Sequence, residues 1–411
     1  MQDILNKKTL KDVDCLNARV IVRVDFNVPI KDGKVTDTKR IVAALPTIQH
    51  LLENKCKIIL LSHLSRIKSL DDIKSGKKSL KPAADVLQEL LPEDDITFLN
   101  FNRGQELIDA VEKMEPKQIL VLENTRYCDV NEKGEVVKLE SKCDDQLGKE
   151  WATLGSIFVN DAFGTAHRKH ASNVGIAKHI PISCIGFLIQ KEIENLSKIA
   201  HEPTKPVVAI LGGAKVSDKL KVINNLLNIA DKVLICGGMA YTFLKTQGID
   251  VGSSLLETEM LDEAKKILDK GKNKIVLPVD FKCTTEFIDN IPTTRTVKEG
   301  LNGVMGLDIG PDTITLFDNE LKNARTVFWN GPSGVFEFKN YQEGTRNICR
   351  ILKHLTSQGA FTLIGGGDSA AAAVSLGFKE TDFSFISTGG GASLEFIEGS
   401  ALPGIEAIQN K

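Results

Sequence analysis

The chain has 411 residues, too many for one ordinary core, so two domains of about 200 residues each are expected. Hydrophobic residues make up 42% and charged residues 26%, an ordinary balance for a globular soluble protein, and the net charge of -2 gives no global field to draw nucleic acid or an anionic membrane. The mixed-charge start MQDILNKKTLKDVD lacks the apolar core of a signal peptide, no apolar run nears the roughly 20 residues of a membrane span, and the eight scattered cysteines form no CxxC motif, so a cytoplasmic protein with reduced thiols is expected.

Short apolar runs recur along the chain. RVIVRVDF (19–26), KIILLS (57–62), QILVLEN (118–124) and SIFVND (156–161) fall in the first half. PVVAILG (206–212), KVLICG (232–237), KIVLPVD (274–280), TVFWNG (326–331) and FTLIGG (361–366) fall in the second. They are β-branched and do not alternate with polar residues, the pattern of strands buried on both faces of a parallel sheet. Helical spacing lies between them. Leu220, Ile223, Leu226, Leu227 and Ala230 share one face of 217–230, with Ser217 as a candidate cap, and Ile348, Ile351, Leu352 and Leu355 repeat the pattern in 347–355. This alternation predicts an α/β protein of two doubly wound, Rossmann-like parallel-sheet lobes. Residues 180–206 separate the two series, and their 187–200 part reads as a long interdomain helix followed by a polar link.

Polar and glycine-rich residues fall at the carboxyl ends of the predicted strands, where open α/β sheets bind ligands. In the first half these include Asp25, Asn27, Ser62, His63, Glu123 to Arg126, Asn160 and Asp161. Seven of the 11 arginines precede residue 170, and Arg40, Arg66, Arg126 and Arg168 read either as a convergent grip on a phosphate- and carboxylate-bearing anion or as solvated surface arginines. Asp25 and Asn27 either accept from substrate hydroxyls or form an Asx-turn. His63, His167 and His170 lack the ligand count and spacing of a metal site and read as hydrogen-bonding groups, with the last two spaced to share a helix face.

The second half carries phosphate chemistry. LGGAKVSDK (211–219) is a glycine turn between strand and helix with Lys215 and Lys219 four residues apart, and it is not a Walker A loop. LIGGGDSAAAAV (363–374) repeats the logic. Asp368 there serves a cap, the helix dipole, or Mg2+ carried by a nucleotide. STGGGASLEF (387–396) is a third such run, and in WNGPSGVFE (329–337) Asn330 and Glu337 suit a phosphate and a ribose, unless the segment is a plain Gly-Pro turn.

RVDFNVP (23–29), SHLSR (62–66), NDAFGTAHR (160–168), LGGAKVSDK (211–219), GLDIGP (306–311), WNGPSGVFE (329–337), GGGDS (365–369) and TGGGASLEFIEG (388–399) together resemble, in order, the signature segments of the phosphoglycerate kinases. The resemblance runs from about residue 19 to the C-terminus. It implies a phosphotransferase with a carboxyl acceptor. Residues 1–180, with 398–411 returning to them, would bind 3-phosphoglycerate or 1,3-bisphosphoglycerate through Asp25, Phe26, Asn27, Arg40, His63, Leu64, Ser65, Arg66, Arg126, His167 and Arg168. Residues 181–200 would be the interdomain helix, and 201–397 would bind Mg-ADP or Mg-ATP. There Gly213, Gly237, Gly238 and Gly306 would line the adenine site, with Glu337 at the ribose and Lys219 and Asn330 at the phosphates. Asp368 would hold Mg2+, and the Gly366, Gly367, Asp368 and Ser369 amides would face the transferring group. Arg40 and Lys215 would stabilise its charge in the transition state, together with Gly366 and Gly367. The resemblance also implies a monomer that closes about hinges in 180–205 and 388–400.

The family usually shows SHLGRP where this chain reads SHLSRI (62–67), so Ser65 is strained if it must take a glycine-only angle, and Ile67 loses a fixed turn. Tyr127-Cys128 and Lys169 also depart from the family's habit and touch no assigned role. Two other readings remain. A non-catalytic homologue would be favoured by loss of Arg40, Lys215 or Asp368, all of which are present, and a nicotinamide-dependent dehydrogenase rests on Gly365 to Ala370 alone.

Overall fold

The computed structural model describes residue 4 and residues 6–411, and the chain divides into two compact units. One runs up to Glu194 and takes in Ala401–Lys411, and the other is Asn195–Ser400. Among the described residues no helix is long and apolar enough to cross a membrane.

The first unit holds β1 (Arg19–Arg23), a hairpin of β2 (Ile30–Lys31) and β3 (Lys34–Val35), β4 (Lys57–Leu61), β5 (Ile96–Phe98), β6 (Ile119–Val121), β7 (Ile157–Asn160) and β8 (Ile182–Ile185). All but the hairpin form one parallel sheet in the order β5-β6-β4-β1-β7-β8. Val20, Ile21, Val22 and Ile58 to Leu61 are fully buried, as the unalternated apolar runs require. Each such side chain contributes roughly 1.5–3 kcal/mol of burial. Helix Lys39–Glu53 packs Ile41, Ala44, Ile48 and Leu51 against Val20, Val22, Ile58 and Leu60.

The segment expected to connect the lobes begins as a strand. Ile182–Ile185 pairs with β7, and the helix follows as Phe187–Ala200, with the division between the units falling inside it. Its first turn is held by the residue after β7 and by helix Lys39–Glu53. Leu188 donates its N–H to Asp161 Oδ1 at 3.0 Å and Phe187 donates to Thr47 Oγ1 at 3.0 Å. The C-terminal segment is fixed to the same unit by Lys7 Nζ, which donates to the Glu406 and Ile408 carbonyls, and by Asn160 Nδ2, which donates to the Gly404 carbonyl.

The second unit contains β9 (Val207–Leu211), β10 (Lys232–Ile235), β11 (Ile275–Val276), β12 (Asp280–Thr284), β13 (Thr293–Thr296), β14 (Met305–Ile309), β15 (Thr326–Asn330), β16 (Phe361–Gly365) and β17 (Phe385–Ile386). Six of them make a parallel sheet in the order β11-β10-β9-β15-β16-β17, and β13-β12-β14 form an antiparallel sheet. The single strand expected over 274–280 is therefore two elements in two sheets. Pro278, which has no N–H to give a ladder, lies between them. The helix expected from Ser217 starts at Leu220, and the Ser217 hydroxyl donates to Glu257 Oε2 at 2.5 Å rather than capping it. Helix Glu343–Ser357 buries Ile348, Ile351, Leu352 and Leu355 as the spacing predicts.

Both parallel sheets reverse their strand order, between β1 and β7 in the first unit and between β9 and β15 in the second. Such switch points are where open α/β sheets bind ligands.

Candidate active site

In the first unit the strand-end residues form a donor-rich cluster. Asp25, just beyond β1, accepts from Arg40 Nη1 at 3.2 Å and from the Asn27 N–H at 3.2 Å, while Arg40 Nη1 also donates to the Asn27 carbonyl at 2.9 Å. The Asx-turn at Asp25 and Asn27 thus exists, and it anchors Arg40. A β-carbon on Gly164 would lie 2.6 Å from Asp25 Oδ2, so NDAFG needs its glycine for this carboxylate.

Asn27 Oδ1 accepts from the Ser65 N–H at 2.9 Å, and the Ser65 carbonyl accepts from Arg126 Nη1 at 2.6 Å. Ser65 sits at φ 57, the left-handed region that favours glycine. Ile67, in place of the family's proline, is buried. Asn124 fastens the loop from below. Its Oδ1 accepts from the N–H groups of Leu64 and Arg126, and its Nδ2 donates to the carbonyls of Leu64 and Lys78.

The histidines lie deeper. His63 and His170 are each 4% exposed. Burial drives the His63 pKa well below its usual value, and the charges of Arg23 and Arg126 push the same way. His170 is lowered to about 3, again by burial first and then by Arg23 and Arg126. His167 is lowered by burial and Arg168. His167 occupies a turn and His170 extended backbone, so the expected shared helix face is absent. The buried Arg126 Nε, His167 Nδ1 and His170 Nδ1 have no hydrogen-bond partner among the described residues. Buried polar atoms are normally paired, so this cluster suits a polar, negatively charged ligand. Arg66 and Arg168 stand exposed beside it. Phe26 and Leu64 do not present side chains to the site. Both are core residues, and their N–H groups donate to Ser62 Oγ and Asn124 Oδ1.

The site in the second unit is built from backbone. A β-carbon on Gly212 would meet the Pro332 carbonyl oxygen at 2.2 Å, so the loops after β9 and β15 touch main chain to main chain. Gly213 and Gly237 belong to the same contact, with Gly213 N–H donating to Pro332 and Gly237 N–H to the Ser333 carbonyl. Lys219 reaches the switch point. Its Nζ donates to the carbonyls of Gly212 at 2.5 Å and Asn330 at 3.1 Å, and burial lowers its pKa to about 8. Asn330 Nδ2 donates to the Gly365 carbonyl at 2.7 Å, and the Gly331 N–H donates to Ser369 Oγ at 2.6 Å. Gly306 packs over the Tyr241 hydroxyl, which leaves no room for a β-carbon, while Gly238 lies beside Leu255.

Helix Gly367–Ser375 begins on Gly366 at φ 94, and its first N–H groups have no intrahelical acceptor. Asp368 lies in that first turn, exposed and without a capping hydrogen bond, close enough for its charge to act on Lys219. Among the described residues no three His, Cys, Asp or Glu side chains gather to cage a metal ion. One exposed carboxylate at a helix start with free N–H groups fits Mg2+ that arrives on a nucleotide, because Mg2+ takes one or two carboxylates plus phosphate oxygens. Lys215 and Glu337 are exposed.

The sequence profile of the family described as "Phosphoglycerate kinase" matches residues 10–400. The chain belongs to the phosphoglycerate kinase family. The phosphoglycerate kinase of Spiroplasma citri is 54% identical, covering 99% of this chain and all of the relative, and that of Mycoplasma genitalium is 55% identical, covering 99% of each. Among solved structures, the phosphoglycerate kinase of Coxiella burnetii superposes with a TM-score of 0.85 at 36% identity over 98% of each chain. That of Pyrococcus horikoshii gives 0.80 at 31% identity over 97% of this chain and 98% of the other.

Within this member of the family, the residue that sequence reasoning passed over is Arg23. It ends β1, is fully buried, and donates Nη2 to His63 Nδ1 at 3.0 Å. The available signal was a charge inside an apolar run, RVIVRVDF. Asn124 was visible as a strand-end polar residue, but its four hydrogen bonds to Leu64, Arg126 and Lys78 were not.

Proposed function

We propose that this member of the phosphoglycerate kinase family transfers a phosphoryl group reversibly between 1,3-bisphosphoglycerate and ADP, giving 3-phosphoglycerate and ATP, with the three-carbon substrate on the first unit and Mg-nucleotide on the second. What carries the reading is that the family match spans both units, so the anion-binding and nucleotide-binding sets occur together. Arg40, His63, Arg66, Arg126, His167 and Arg168 bind the phosphate and carboxylate, and Asp25 and Asn27 orient Arg40 and the Ser65 loop. Phe26 and Leu64 act through the backbone they support. Gly213, Gly237, Gly238 and Gly306 bound the adenine site, Glu337 takes the ribose, and Lys219 and Asn330 hold the phosphate loop.

Bound Mg2+ would neutralise phosphate charge, and Asp368 is the residue that would hold it. The acceptor is the substrate's own carboxylate, so no strong general base is needed. The protein's task is positioning and charge stabilisation. The Gly366 to Ser369 amides face the moving group, and Arg40 and Lys215 offset its transition-state charge. Transfer needs the two ligands within bonding distance and water excluded, which hinge closure about 180–205 and 388–400 supplies. Each unit has its own sheet-centred core, which supports a monomer, and seven of eight free cysteines are buried, which supports a reducing cytoplasm.

The test is ATP consumption with 3-phosphoglycerate and Mg2+, with the acyl phosphate trapped by a coupled reductive step, in wild type and Lys215→Ala. Magnesium-dependent turnover that falls at least about a hundredfold in the variant is expected. A folded wild type that binds ATP and shows no turnover would overturn the reading.

A further inference from the structure

Arg23 is the last residue of β1 and has no solvent exposure. Burying a guanidinium is costly unless its donors and charge are both answered. Here they are. Nε donates to Ser172 Oγ at 2.8 Å, Nη1 donates to the Val24 carbonyl, and Nη2 meets His63 Nδ1 at 3.0 Å. The counter-charge stands one residue away. Glu140, also fully buried, accepts the Ser172 N–H on Oε1 at 2.8 Å, and its charge acts on Arg23. Glu140, Ser172, Arg23 and His63 thus form one buried line that ends in the donor cluster.

We propose that Arg23, compensated by Glu140 through Ser172, is a positioning residue that fixes His63 as the neutral tautomer with its proton on Nε2. A guanidinium has only N–H donors and stays protonated in proteins. The ring nitrogen facing it must therefore offer a lone pair, because a proton on Nδ1 would set N–H against N–H. The imidazole proton is then on Nε2. Nε2 makes no hydrogen bond to the described residues and is not an enclosed unpaired atom. It is the edge of the ring that a ligand reaches. The charges of Arg126 and Arg40 and the ring of His170, which also act on His63, oppose a second ring proton. His63 is thereby an oriented donor to an anion's oxygen that adds no net charge to an already cationic cluster. The proposal rests on the reading that this cluster binds the substrate anion, but the tautomer itself does not depend on substrate.

The test is long-range ¹H–¹⁵N correlation of ¹⁵N-histidine protein at neutral pH without ligand, with the His63 signals assigned by His63→Gln. The wild type is expected to show His63 protonated on Nε2 alone. A His63 protonated on Nδ1, or on both nitrogens, overturns the proposal without any Arg23 variant, so a variant that fails to fold does not rescue it. Arg23→Met/Glu140→Gln removes both buried charges together. In it the His63 pattern should become mixed or switch to Nδ1–H, with KM for 3-phosphoglycerate rising about tenfold or more and kcat changing much less. Arg23→Lys, which keeps a charged donor, should retain the Nε2–H pattern. Unchanged Nε2–H in the double variant overturns the proposal. An Nε2–H wild type without turnover would sink the functional reading and leave this one standing.

Discussion

Replacing Ser65 by glycine should stabilise the first unit. Ser65 holds φ 57, where a β-carbon costs about 1–2 kcal/mol. Its side chain is exposed and its hydroxyl has no partner among the described residues, so the substitution loses no contact. Glycine also frees the unfolded chain, at a cost of about 0.4–1 kcal/mol. The net gain is about 0.5–1 kcal/mol, or about 2 °C in the midpoint of a unit near 200 residues. Each unit has one tryptophan, Trp151 in the first and Trp329 in the second. Thermal unfolding followed by Trp151 fluorescence in a Trp329→Phe background therefore reads the first unit. Ser65→Ala keeps the β-carbon and should show no gain. Turnover should stay within about twofold, because the backbone bonds to Asn27 and Arg126 survive. The reasoning fails if Ser65→Gly leaves the midpoint unchanged or lowers it, or if Ser65→Ala gains as much.

Two further outcomes concern the nucleotide unit. Lys219 has a folded pKa of about 8 against an ordinary 10.5. Below pH 8 both states hold the proton, and between pH 8 and 10.5 the unfolded state holds more, so stability rises with pH in that window. Chemical denaturation at pH 8 and pH 10 should show wild type gaining about 2 kcal/mol relative to Lys219→Met, and a pH-independent difference would contradict the buried ammonium. Asp368→Asn should raise the Mg2+ concentration needed for nucleotide binding at least about tenfold while leaving thermal stability unchanged, since the exposed carboxylate caps nothing. An unaltered Mg2+ titration would remove Asp368 from the metal's shell.

The sequence was most informative where one physical rule acts alone. Strands buried on both faces must be continuously apolar, so β1, β4, β9, β15 and β16 were visible as runs. Edge strands obey no such rule. β5 is only half-buried, and β8 follows a proline and carries a serine, so neither stood out. KIVLPVD had the composition of one strand, and only the three-dimensional pairing shows that Asp280 begins a strand of a different sheet. The candidate site was legible for the same reason as the core, because ligand-facing polar residues collect at strand ends. What stayed hidden was the direction in which side chains point. Phe26 and Leu64 lie in strand-end motifs among candidate site residues, yet both side chains are buried. Ser217 has the composition of a cap, yet Glu257 takes its hydroxyl. Arg23 looked like an interruption in a strand, and only the fold brings Glu140 and Ser172 to it.

The two units place their ligand residues by the same device and fill it with opposite materials. At β1 and β7 the switch point carries charged side chains, Arg23, Asp25, Arg40 and Asp161 among them. A small anion with a phosphate at one end and a carboxyl at the other offers only oxygen, and planar guanidinium forks match that geometry. At β9 and β15 the switch point carries glycines, carbonyls and one buried ammonium. A nucleotide brings its own cation and a flat base, so it calls for close backbone and free helix N–H groups rather than more charge. The first arrangement leaves the buried Arg126 Nε–H and the Nδ1 atoms of His167 and His170 without partners among the described residues, which costs stability that a polar, anionic ligand offsets. In the second the side chains are already paired, since Lys219, Asn330 and Ser369 each close a hydrogen bond, and what stays open is the helix N-terminus at Gly367. Ligand-linked stabilisation should therefore be steeper for the arginine-bearing unit.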